Sequence, residues 1–197
     1  MTEKEGGRWR FGRKQLFLWQ IQVLKTILSA AQLSITCQRL AHQMLEQHPM
    51  LENTVLIGLQ PRGIFFSDRI IHVLKSISGG EVMYGQLDIT FYRDDIRKGL
   101  HEANTTHLPF DIENRKVILI DDVLYTGRTI RAALDALLDF GRPSAVSLCV
   151  LIDRRFSREL PIQPDYTGKV IDTIVSQRVK VNWQEKEGTD EVILLDN

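Results

Sequence analysis

Val117-Ile118-Leu119-Ile120-Asp121-Asp122-Val123-Leu124-Tyr125-Thr126-Gly127-Arg128-Thr129 is the stretch on which the fold of this chain turns. Its four leading apolar residues read as a buried parallel strand, because such strands are covered on both faces and lose the polar alternation. Two adjacent carboxylates, Asp121 and Asp122, stand where that strand is expected to end. A short turn of small and hydroxylated residues follows, with Gly127 free to take a positive φ. Beyond it Ile130, Ala133, Leu134, Leu137 and Leu138 recur at helical spacing. Gly141 and Pro143 close that helix.

Strand, acid pair, hydroxyl-rich turn and helix together point to a site for a phosphorylated sugar. Free N–H groups at a helix start, with the positive end of its dipole, attract a phosphate. Thr126 and Thr129 add hydroxyl donors. Asp121 and Asp122 are acceptors only, suited to ribose hydroxyls or to a hard cation such as Mg²⁺. The plain alternative is an ordinary strand-to-helix turn with Thr129 as its N-cap, but turn chemistry alone demands neither two acids nor two hydroxyls. The string is neither a Walker A loop nor a Gly-x-Gly-x-x-Gly turn.

Working outward, strands and helices alternate. Residues 34 to 48 read as a helix before Pro49, Thr54 to Gly58 as a buried strand, and Gly63 to Ser76 as a helix. Val82 to Phe91 reads as extended, and Tyr92 to Asp111 as a polar loop long enough to serve as a flap. Strand 117 to 120 and helix 130 to 140 follow, then strand Val146 to Ile152 and late strands at Arg178 to Trp183 and Glu191 to Leu195. This alternation argues for an α/β fold with a mostly parallel sheet flanked by helices, in which ligands bind beyond the carboxyl ends of the strands. Gln60-Pro61-Arg62-Gly63 therefore reaches the acid pair's edge, offering amides and a guanidinium, although Pro61 lacks an N–H. Asp153-Arg154-Arg155 ends another strand at the same edge. Arg93, Arg97 and Lys98 on the polar loop could fold over an anionic substrate and exclude water.

Bulk properties fit one globular domain of enzyme size. The chain has 197 residues and 25 acidic against 25 basic side chains, so no global basic field draws it to nucleic acid. Cys37 and Cys149 lie in apolar segments and read as reduced core residues. Leu16 to Ala31 is fairly apolar, but Gln20, Gln22 and Lys25 interrupt it and it is too short and polar to span a bilayer.

The string Asp-Asp-Val-Leu-Tyr-Thr-Gly-Arg-Thr resembles the phosphoribosyl-pyrophosphate (PRPP) signature of type I phosphoribosyltransferases, in the variant found in the PyrR family. Arg39-Leu40-Ala41-His42-Gln43, Arg62-Gly63-Ile64, Leu87 to Asp95 and Arg158 to Tyr166 match in the same order, so that the resemblance spans roughly residues 32 to 197. The resemblance implies a type I phosphoribosyltransferase fold, with a mostly parallel central sheet and a small base-binding hood. It further implies a uracil phosphoribosyltransferase that makes UMP and pyrophosphate from uracil and PRPP with Mg²⁺. Members also regulate pyrimidine genes by binding leader mRNA under UMP control, and they are cytoplasmic dimers or higher homo-oligomers. Residues 1–25 would be an extension without an assigned role and 26–197 a single domain, with a flexible loop at about 92–110. The hood would comprise about 153–170 plus an N-terminal part.

Carried over residue by residue, Asp121, Asp122 and Arg93 are the expected catalytic residues, the two acids doubling as metal ligands. Tyr125, Thr126, Gly127, Arg128, Thr129, Arg62 and Gly63 are expected to hold PRPP, Arg62 at its pyrophosphate. Arg39, His42, Arg158 and Lys169 are the positions expected to face RNA, while Gln38, Gln47, Ser157 and Gln163 replace residues usually hydroxylated or basic there. Fewer cations weaken phosphate neutralisation. The enzyme reading therefore stands ahead of an RNA-binding sensor and of a transferase for another base.

Overall fold

The computed structural model describes residues 22–93, 104–174 and 176–196; Arg97, Lys98 and most of the N-terminal extension fall outside them. In chain order the elements begin with β1 (Gln22–Leu28), α1 (Ala30–Gln47), β2 (Thr54–Leu59), α2 (Gly63–Ser78) and β3 (Tyr84–Leu87). There follow β4 (Lys116–Leu124), α3 (Arg128–Leu137), β5 (Ala145–Arg155) and β6 (Tyr166–Asp172). The chain closes with β7 (Gln177–Asn182), the short α4 (Gln184–Glu187) and β8 (Glu191–Asp196).

Strands β3-β2-β4-β5-β6, in that spatial order, form a wholly parallel sheet. The period of two along β4 assigns its apolar residues to two separate cores. Ile118 and Ile120 pack with Leu40, Met44, Phe66, Ile70 and Leu74 of α1 and α2. Val117 and Leu119 pack with Ile130, Ala133 and Leu137 of α3. A strand buried on both faces needs apolar residues at every position, which is why Val117 to Ile120 carries no polar alternation.

A second, antiparallel sheet is ordered β1-β8-β7. It closes over the α1 and α2 side, where Val181, Trp183 and Val192 join that core. This arrangement bears on two expectations. The boundary expected between residues 25 and 26 falls inside β1, whose backbone is captured by β8 at the far end of the chain. Residues 153–170, expected in the hood, span the end of β5, which runs to Arg155, the segment after it, and the start of β6, which pairs beside β5 from Cys149↔Tyr166 to Arg155↔Asp172.

Helix starts also differ from the spacing. α1 begins at Ala30 rather than 34, because Ser29 and Gln32 form a reciprocal capping box, with bonds of 3.4 and 3.0 Å. α3 begins at Arg128, two residues before its apolar stripe. Among the described residues no helix is long and apolar enough to cross a membrane.

Candidate active site

β4 continues through the acid pair instead of ending before it. Its pairing with β2 stops at Gly58↔Ile120, whereas its pairing with β5 runs on to Leu124↔Asp153. The carboxylates thus sit where β4 outreaches one neighbour, and strand alternation sends them to opposite faces. Asp121 shares its face with Val117 and Leu119 and feels the charge of Arg93. Asp122 shares its face with Ile118 and Ile120 and approaches Arg62, with Nε 3.7 Å from Oδ2. Asp121 is buried, and its carboxyl is raised above the usual carboxylate range by that burial and by the Asp122 charge. The Asp122 N–H, donating to Asp121 Oδ1 at 2.9 Å, and the Arg93 charge oppose the shift. Burial raises Asp122 as well, opposed first by Arg62. A buried acid pair of this kind draws hydroxyl donors or a cation.

Next to Asp121 lies a cavity of about 300 Å³, lined among others by Arg93, Tyr125, Thr126, Gly127 and Thr129. Gly127 is the N-cap of α3 at φ 94° and brings no capping side chain. Thr129 is therefore not the cap, and Thr126 Oγ1 accepts from the Arg128 N–H at 3.4 Å. A Cβ at Gly127 would press on Leu160 and Ile162 at 3.3 Å, so glycine is required there twice over, for φ and for space. The segment after β5 holds the turn: Glu159 and Leu160 donate N–H bonds to Thr126 O at 3.0 and 3.2 Å. Arg158 is the main brace. It donates to the carbonyls of Leu124, Tyr125, Arg154 and Ile162 and pairs with Asp153.

Arg62 and Gly63 come to the same edge, at the start of α2. The peptide Gln60–Pro61 is cis. A Cβ on Gly63 would lie 2.8 Å from Ile120 O and 3.0 Å from Asp121 Oδ1, so α2 approaches β4 as closely as a backbone can. The Arg62 guanidinium is partly engaged already. It donates to Val181 O and to Glu187 Oε1, the latter at 3.2 and 3.3 Å. Arg128 and Glu159 both line the cavity and pair there, with Nε 2.7 Å from Oε2.

Three positions that were not among the expected site residues bond to the segments around the site. Asp88, buried, accepts from Thr90 N and Oγ1 at 3.0 and 2.6 Å and from Asn104 N at 2.8 Å. It ties together both ends of the segment that begins at Arg93. The Asp-x-Thr pattern at Asp88 to Thr90 was the local sign of it. Gln60 donates to Thr105 O at 3.0 Å, and His107 bridges to Gln86, so residues 104–107 of the loop expected at about 92–110 are anchored. Glu187, far away in sequence, left no local sign.

Arg154 is not a surface charge. It is 5% exposed, lies 4.0 Å from the Tyr125 ring centroid, and donates to Thr173 Oγ1 and Gln177 O, both at 3.0 Å. Arg155 pairs with exposed Asp172. The positions expected to face RNA divide. Arg39 and His42 are exposed on α1, Arg39 donating to Thr167 O and Gly168 O. Lys169 donates to Ile27 O at 3.0 Å, joining the two sheets, and Arg158 is spent on the turn. Lys169 nevertheless stays exposed, and its ammonium carries three donors, whereas Arg158 is half-buried and makes its bonds within the fold.

The phosphoribosyl transferase domain family matches residues 23–186. The bifunctional protein PyrR of Deinococcus radiodurans is 48% identical over 173 residues, covering 87% of this chain and 94% of that protein. That of Streptococcus mutans is 47% identical over 171 residues, covering 87% and 95%. Among solved structures, a Bacillus anthracis hypoxanthine-guanine phosphoribosyltransferase superposes with TM-score 0.66 at 19% identity, covering 89% of this chain and 99% of that one. A Trypanosoma cruzi hypoxanthine phosphoribosyltransferase gives 0.67 at 15%, covering 88% and 91%. At such identity these two speak for the fold alone.

Proposed function

The chain belongs to the phosphoribosyl transferase domain family and, within it, to the bifunctional PyrR proteins, and from that premise we propose that it transfers phosphoribose from PRPP to uracil. It is an enzyme of pyrimidine metabolism that also acts as a regulator of pyrimidine genes. The observation that carries the site assignment is the cavity beside Asp121, walled by the amide-rich start of α3.

In this reading the amides of residues 126–129, with the Thr126 and Thr129 hydroxyls, receive the 5′-phosphate. Asp121 and Asp122 accept from ribose hydroxyls. Arg93 and Arg62 approach from opposite sides, where pyrophosphate leaves. The C1′–oxygen bond to pyrophosphate breaks, positive charge builds on the ribose ring, and uracil N1 forms the new bond to C1′ as its proton departs. The acid pair stabilises that charge electrostatically, and the rest of the contribution is positioning.

Among the described residues no group of three or more His, Cys, Asp or Glu could hold a metal. The hard carboxylate oxygens of Asp121 and Asp122 nevertheless suit Mg²⁺, which is commonly held by one or two carboxylates plus substrate phosphate oxygens. Mg²⁺, when bound, neutralises the departing pyrophosphate.

UMP formation from uracil and PRPP with Mg²⁺, with hypoxanthine and orotate in parallel, tests the reading; turnover of another base in preference to uracil overturns it. Regulation through leader mRNA would draw on Arg39, His42 and Lys169, which are exposed, and on Arg158, which is half-buried. A leader-hairpin gel shift with and without UMP measures it. Assembly into dimers or higher oligomers belongs to the same reading and is checked by sedimentation.

A further inference from the structure

Arg62 reaches the substrate site from the start of α2, yet the group that fixes its direction belongs to the second sheet's connection. Glu187 Oε2 accepts from Trp183 N at 2.9 Å, while its Oε1 accepts from both terminal nitrogens of Arg62 at 3.3 and 3.2 Å. Val181 O takes a further bond from Nη2. Three contacts therefore grip the outer edge of the guanidinium. Its inner edge, Nε, is turned to Asp122 Oδ2 at 3.7 Å, beyond hydrogen-bond range. Arginine carries five N–H donors in a rigid fork, so that holding one edge aims the other.

We infer that Glu187 is a positioning residue of the phosphoribosyl transfer, holding Arg62 so that its inner edge faces the space beside the acid pair where pyrophosphate is bound. The inference rests on the functional reading above. Glu187 makes no contact with the reacting atoms. Its own carboxyl is held below the usual range, by the Trp183 N–H first, so the clamp is charged at neutral pH. Side chains of Arg62 and Glu187 are 39% and 22% exposed, so as a surface ion pair it would add little stability. Its consequence lies in orientation, which can govern binding of an anion even when the pair contributes little to folding. Glu185, two positions before Glu187 in the same turn, pairs instead with Arg69 and serves as an internal control.

The experiment is PRPP titration by calorimetry, with steady-state kinetics alongside, for wild type, Glu187→Ala, Glu187→Gln, Arg62→Ala, the Glu187→Ala/Arg62→Ala double variant and Glu185→Gln. Glu187→Gln keeps the size and the acceptor for Trp183 N while removing the charge. Both Glu187 variants should bind PRPP about tenfold more weakly, with a smaller change in kcat at saturation. The double variant should be no weaker than Arg62→Ala, because Glu187 acts only through Arg62. Glu185→Gln should match wild type. Equal additional weakening by Glu187→Ala in the Arg62→Ala background, or wild-type affinity in both Glu187 variants, overturns the inference. If wild type itself neither binds PRPP nor turns over uracil, the functional reading fails and this inference with it. Wild-type turnover with unaffected Glu187 variants removes this inference alone.

Discussion

Gly63→Ala should damage both stability and PRPP use, and the structure sets the size of each effect. The added Cβ would sit 2.8 Å from Ile120 O and 3.0 Å from Asp121 Oδ1 and face strand backbone at Asp121 Cα, 3.1 Å away. Ordinary contact begins near 3.4 Å, so α2 must retreat from β4 by about half an ångström. Overpacking of this sort costs about 1–3 kcal/mol. In a domain of this length each kcal/mol lowers Tm by about 2–4 °C. The retreat also moves Arg62 and the first amides of α2 away from the acid pair, and because a 1 Å misplacement can cost about a hundredfold, half of that predicts about tenfold in kcat/KM for PRPP. Gly168→Ala provides the comparison. Its Cβ would strike Leu151 O and lie 2.9 Å from Thr36 Cγ2, on the α1 side of β6 rather than at the acid pair. It should lower Tm comparably and leave the KM for PRPP unchanged. Thermal melts and PRPP-dependence curves of both variants decide the matter. A Gly63→Ala protein with wild-type Tm and wild-type KM would refute the close-approach argument. So would an equal rise in KM for Gly168→Ala.

Asp121→Asn with Asp122→Asn should cut turnover by orders of magnitude while the protein still melts cooperatively; near-normal UMP formation would remove the acid pair from the mechanism. Arg158→Ala should destabilise the fold by about 2–3 kcal/mol, somewhat less than a fully buried pair, since it strands Asp153 and four carbonyls behind the Tyr125–Thr129 turn. Urea unfolding measures that loss, and an unchanged midpoint would contradict the bracing role. Cys37 and Cys149 should resist a thiol reagent in the native protein, burial pushing the Cys37 thiol up to about 12 and Cys149 upward as well. The fold keeps these protons where the unfolded chain releases them near 9, so their contribution to stability is full below that pH and declines as pH rises past it. Denaturation midpoints between neutral and alkaline pH check the sign.

Much of the central sheet could be read locally. Val117 to Ile120 announces a doubly covered strand, because both faces of β4 meet apolar helices. The stripe on α3 and the glycine before it likewise report local geometry, and Gly127 does take the positive φ expected of it. Helix and strand ends were less legible. Ser29 and Gln32 start α1 with a capping box outside the apolar spacing, and β4 passes through Asp121 and Asp122 because β5, not the acids' own polarity, sets its length. The second sheet was illegible around residue 25, since β1 is held by backbone bonds to β8, and those depend little on which side chains it carries.

By itself, then, the sequence determined the α/β alternation, the acid pair and the glycine-bearing turn beyond it, because each is a short-range pattern of polarity or of backbone permission. Only the tertiary structure decided which partner each cation meets. Arg93 and Asp121 line one cavity, Arg128 pairs with Glu159, Arg158 braces the turn, Lys169 bonds Ile27 O while staying exposed, and Arg154 is buried beneath Tyr125. An arginine's role depends on which carboxylate or carbonyl it meets, and those partners come from distant strands: Glu187 lies 125 residues from Arg62 and is brought beside it by the packing of the second sheet on α2.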